Sequence, residues 1–130
     1  MSAAWCFEDQ SSPYTDAVLQ AVIAGANVFV PSIWRLEVVN SLVVAERRKK
    51  ILPATSAKFL IDLRRFMITV DLEGLNQVIG AVLYQARLYQ RSAYDTSYLE
   101  LAKRRGLPFA TKDEPLRRAA GELGVSIFQP

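Results

Sequence analysis

Asn27-Val28-Phe29-Val30-Pro31-Ser32-Ile33-Trp34-Arg35-Leu36-Glu37-Val38-Val39-Asn40-Ser41-Leu42-Val43-Val44-Ala45 decides the fold class of this chain. Its opening is a short apolar run closed by a proline, the pattern of a brief strand. Ser32 offers a hydroxyl cap to a long helix that holds Glu37 and reaches the basic run Arg47-Arg48-Lys49-Lys50. Strand has passed directly into helix, and the same alternation continues on both sides.

Upstream, Ser11-Ser12-Pro13 joins a hydroxyl cap to a proline in the first helical turn. Tyr14, Val18, Leu19, Val22 and Ile23 then share one face, and the helix is expected to end near Gly25. Downstream, Pro53 starts a helix carrying Phe59, Leu60, Leu63 and Phe66, and Met67-Ile68-Thr69-Val70 reads as a second strand. A long helix is expected from near Leu72 to Tyr89, then one that opens at Asp95 and stops at Gly106. Leu107–Thr111 reads as a third strand, Glu114 or Pro115 to Leu123 as a helix, and Gly124–Phe128 as a final strand. Short apolar strands alternating with amphipathic helices predict an α/β fold, a short parallel sheet covered by helices. No repeat or linker-like tract interrupts residues 1–130, so a single domain is expected.

Composition narrows the chemistry. The chain has 130 residues, 51% apolar and 22% charged, which excludes wholesale disorder. It holds no histidine, which removes Ser-His-Asp hydrolysis, Cys-His proteolysis and His-ligated zinc together. Cys6 is the single cysteine, so no internal disulfide can form and a reducing cytoplasm is the expected location. No apolar run approaches the roughly 20 residues of a membrane span, and the N-terminus does not read as a signal peptide. The net charge of +3 is mild, but the cations gather at 47–50, 64–65, 103–105 and 117–118. Helix macrodipoles account for part of that clustering, and a polyanionic partner would use the same groups.

Hydrolysis in such a chain must run on carboxylates and a hard metal ion. Glu37, Asp95 and Asp113 stand out because each interrupts or adjoins an apolar run, where an uncompensated charge is costly. Glu37, Asn40, Ser41 and Val44 make a narrow stripe at helical spacing, either a partly exposed face or the wall of a cleft. Asp95 and Asp113 each precede a helix and could serve only as N-caps. Taken together they lie where strands end and helices begin, the usual ligand crevice of a parallel α/β sheet. Acids gathered there call for a cation between them, and Thr111 could add a hydroxyl.

Three motifs carry a resemblance. Pro31-x-x-Trp34-x-x-Glu37-Val38-x-Asn40-Ser41-Leu42, then Ala93-Tyr94-Asp95-x-x-Tyr98-Leu99-x-Leu101-Ala102, then Gly106-Leu107-Pro108-x-Ala110-Thr111-x-Asp113-x-x-Leu116 together resemble the PIN-domain ribonucleases, nearest to the VapC-type toxins of toxin–antitoxin pairs. The resemblance implies a PIN-like three-layer fold with helices on both faces of the sheet. It also implies an endoribonuclease dependent on Mg2+ or Mn2+, a homodimer, and inhibition by a small cognate antitoxin. Asp95 and Asp113 would hold the metal, with Glu37 completing the site or orienting the attacking water. Which basic residues would hold the RNA is left open.

One corner of the pattern is missing. The family opens with a short strand ending in Asp-x-Ser, followed by a stretch like Trp5-Cys6-Phe7-Glu8-Asp9. Aligned on Trp5, the first strand and first acid would fall upstream of Met1, and Glu8 and Asp9 are poor substitutes. Either the true start lies upstream of Met1, or the chain is a weakened or inactive PIN-like module that binds antitoxin or RNA. A DNA-directed nuclease on the same fold is a third possibility.

Overall fold

Ser12 satisfies the start of the first helix twice over. Its hydroxyl accepts the Thr15 N–H while the Thr15 side chain accepts the Ser12 N–H, with Pro13 in the first turn of α1 (Pro13–Ile23). The computed structural model describes residues 12–73 and 75–130, so the expectations resting on Trp5 to Asp9 lie outside the described residues. The chain divides into two compact units, Met1–Thr69 and Val70–Pro130.

In the first unit, β1 (Val28–Val30) leads into α2 (Trp34–Arg47), then α3 (Pro53–Leu63), then β2 (Ile68–Val70), whose last residue begins the second unit. β1 pairs with β2, and the Val28 N–H donates to the Met67 carbonyl at 2.8 Å. Val38, Leu42 and Ala45 recur at helical spacing along α2 and bury against Leu63, with Trp34, Phe59 and Phe66 closing around them. Ser32 is not the cap of α2. The N-cap is Ile33 without a side-chain bond, and the Trp34 N–H turns back onto the Pro31 carbonyl at 3.0 Å. A proline-led turn thus supplies from the backbone what a hydroxyl would have supplied.

Lys49 ends α2 in a left-handed conformation, φ 56°, with its N–H on the Glu46 carbonyl and the Lys50 N–H on the Ala45 carbonyl. This is the Schellman ending, and its left-handed position normally belongs to glycine. Gly25, Gly106 and Gly124 take it after α1, α5 and α6. Lys49→Gly is therefore expected to stabilise the chain by about 0.5 kcal/mol, the left-handed strain removed less the extra chain entropy of glycine. Equilibrium urea unfolding would measure it.

The second unit holds α4 (Leu75–Tyr89), α5 (Ala93–Arg105) and α6 (Glu114–Glu122), which pack on one another. Leu99 and Ala102 of α5 and Leu116, Ala119 and Ala120 of α6 form its core with Phe109 and Val125. α4 is Leu75–Tyr89 where the sequence predicts a start near Leu72; Asp71 is drawn into ion pairs and Leu72 stands out, 91% exposed. The expected third and final strands contract to a single parallel bridge, Phe109 with Ile127. Asp113, four residues after Phe109, turns the chain into α6, and the αL turn at Gly124, three residues before Ile127, leads it out. The class is α/β: short parallel strands among six helices in the described residues.

Candidate functional site

Ser92, not Asp95, caps α5. Its hydroxyl accepts the Asp95 N–H at 3.0 Å and its carbonyl accepts the Thr96 hydroxyl at 2.7 Å. Asp95 therefore sits in the first turn with its carboxylate exposed and no capping duty. A negative charge there is favoured by the helix dipole.

Asp113 does cap its helix. Its Oδ1 accepts the Leu116 N–H at 2.9 Å, while its own N–H donates to the Thr111 hydroxyl at 3.2 Å. The Thr111 carbonyl in turn accepts Arg117 Nε at 2.8 Å, which fixes the approach to α6. Asp113 is half-buried, and Oδ2 is the oxygen not used by the cap. Thr111 thus acts on Asp113 through the backbone N–H.

Glu37 belongs to the other unit, half-buried on α2, with the Ser41 hydroxyl donating to its backbone carbonyl at 2.9 Å. Asp95 and Asp113 share the second unit, Asp95 in the first turn of α5 and Asp113 as the N-cap of α6. Among the described residues, no three Asp, Glu, Cys or His side chains gather as a metal cage.

The buried carboxylates are different ones. Asp71 and Glu100 are 7% and 6% exposed, and the cation that compensates them is arginine. Arg104 Nη2 donates to Asp71 Oδ2 at 2.6 Å, and its Nε donates to Glu100 Oε1 at 2.7 Å. Arg105 Nη2 adds a bond to Asp71 Oδ1 at 3.0 Å. Burial alone would push the Asp71 carboxyl up, but the Arg104 and Arg105 hydrogen bonds outweigh it and hold the group below its ordinary value. The Glu100–Arg104 half was legible as a four-residue helical spacing. Asp71 was not, because it lies 33 residues from Arg104 in sequence. Two of the three cations at 103–105 are thereby consumed inside the protein, and Lys103 Nζ bonds the Leu123 carbonyl.

Compared with known families, residues 4–122 match the PIN domain. The chain belongs to the PIN domain family. PIN domains are typically metal-dependent nucleases and generally use divalent cations. Neither the curated proteins nor the solved structures contain a match to this chain. In this PIN domain both oxygens of Asp95 and Oδ2 of Asp113 lie outside the capping bonds, and carboxylate oxygens are the kind of hard donor such cations take. No described helix is long and apolar enough to cross a membrane.

Proposed function

We propose that this PIN domain is the endoribonuclease toxin of a VapBC-type pair, cleaving RNA in the cytoplasm with Mg2+ or Mn2+. The observation that carries the reading is the release of Asp95 from capping. Ser92 does that work, so an exposed carboxylate with no capping task stands in Ala93-Tyr94-Asp95, within the residues that match the PIN domain. Asp95 and Asp113 are the metal-binding carboxylates in this reading, and Glu37 completes the site or orients the attacking water. A bound divalent ion supplies Lewis acidity toward a phosphate oxygen and makes water acidic enough to attack near neutral pH. The chain's own residues position the phosphate and keep carboxylate charge in place. A small cognate antitoxin is the proposed inhibitor.

Single-stranded RNA and DNA of one sequence, each with magnesium and with EDTA, test the reading. RNA cleavage that EDTA stops is expected. Inertness toward both, together with no magnesium or manganese affinity by calorimetry, would make the chain a binding module instead.

A homodimer belongs to the same proposal. α4 exposes Ile79, Leu83, Tyr84 and Leu88, with the small residues Gly80 and Ala81 among them. Apolar surface of this kind, with room for close approach, supports packing against a second copy. Sedimentation should show a dimer for the native chain and a monomer for Leu83→Glu. An unchanged dimer would place the interface elsewhere.

A further inference from the structure

The four basic clusters of the sequence are not equivalent once folded. Arg104 and Arg105 are bound to Asp71 and Glu100, and Arg65 shares Asp62 with Lys58. Arg117 is turned onto the Thr111 carbonyl. Arg47, Arg48 and Lys49, by contrast, are all exposed at the α2–α3 turn and make no ion pair among the described residues. Three adjacent exposed cations repel one another unless something anionic joins them.

Two further observations separate this cluster from ordinary dipole-favoured cations. Lys49 holds the left-handed position that Gly25, Gly106 and Gly124 hold after three other helices and Gln90 holds after α4, so a charged side chain stands where the backbone favours none. Arg48, eleven residues after Glu37, returns to nearly the same face of α2, in line with Glu37, Ser41 and Val44. The rise along the helix between them is about 16 Å, roughly the axial length of five stacked nucleotides.

We infer that Arg47, Arg48 and Lys49 form a phosphate-binding knot that holds the backbone of single-stranded RNA, leading it along α2 toward Glu37. The inference rests on the ribonuclease reading for its choice of polyanion. Its footing in the structure is the three cations without ion pairs and their alignment with the Glu37 stripe.

The test is equilibrium binding of a fluorescein-labelled, mixed-sequence 20-nucleotide RNA in EDTA, so that affinity is read without cleavage. The full chain is compared with Arg47→Gln/Arg48→Gln/Lys49→Gly, whose glycine suits the left-handed position and protects the fold. A control, Lys58→Ala/Arg65→Ala/Arg118→Ala, removes the same formal charge elsewhere. Loss of three phosphate contacts should weaken binding about 10- to 50-fold at 0.15 M salt and flatten the log K against log salt slope by about 2. The control should change neither by more than about threefold. Equal losses in both variants would reduce the effect to net charge and overturn the inference. So would an unchanged slope in the knot variant, or no RNA binding by the native chain at 10 µM, a concentration set by the assay and on the order of nonspecific affinities. If the knot variant instead loses only affinity for a polyglutamate peptide, the surface serves an acidic protein and the inference is likewise overturned. A chain that binds RNA through the knot but never cleaves it would sink the nuclease reading and leave this one standing.

Discussion

Arg104→Met is expected to cost about 3–5 kcal/mol of folding stability, the usual effect of leaving buried charge without its counterion. Arg104 is the one cation bonded to both Asp71 and Glu100 in the described structure, and methionine keeps most of its apolar stem while deleting the guanidinium. Arg105 would still reach Asp71 at 3.0 Å, but the bonds that Arg104 gives Glu100 would be lost. Adding Asp71→Asn and Glu100→Gln to Arg104→Met should recover much of the loss, because the uncompensated charges go with it. Urea unfolding of the single and triple variants decides the point. A loss below about 1 kcal/mol for Arg104→Met would show that the network behaves like an exposed pair.

The same network gives a pH dependence of known sign. Asp71 has its folded-state pKa held below the unfolded value of about 4. Its contribution is therefore fully present above that unfolded value and is lost as pH falls through the lower folded one. In Asp71→Asn this acid-dependent loss should be missing, which unfolding curves at pH 7, 5 and 3 would reveal against the native chain.

Asp95→Asn and Asp113→Asn are expected to reduce RNA cleavage by more than about 100-fold, since loss of an outer-sphere partner alone typically costs 10- to 100-fold. Stability should separate ligand from cap. Asp95 caps nothing, so Asp95→Asn should fall within about 0.5 kcal/mol of the native chain. Asparagine caps a helix about as well as aspartate, so Asp113→Asn should also remain stable. Asp113→Ala removes the Leu116 bond as well and should cost about 1 kcal/mol more. Near-native cleavage by Asp95→Asn would show that its carboxylate is surface charge and nothing else.

How much was legible depended on the range of the interaction. The proline at 13, the glycines at 25 and 106 and the periodic faces of α1, α2 and α5 act within a few residues, and each element fell where its local chemistry put it. Errors came where a neighbour did the same job better. The turn at Pro31 displaced Ser32 as a cap, and Ser92 displaced Asp95. Asp113 was readable as a cap because no hydroxyl stood ahead of it to take the Leu116 N–H; the nearest, Thr111, accepts from Asp113 itself.

By itself the sequence determined the α/β class, the order of elements, the exclusion of histidine chemistry and the motifs that place the chain among PIN domains. It also posed the right electrostatic question, since carboxylates that are buried do need cations. Only the tertiary structure decided which carboxylates are buried. Asp71 and Glu100 are, and Arg104 and Arg105 neutralise them, while Asp95 is exposed and Glu37 and Asp113 are half-buried. The reason is physical: burial and charge pairing depend on which segments meet in space. Asp71 meets Arg104 across 33 residues of chain, a distance over which no local pattern carries information.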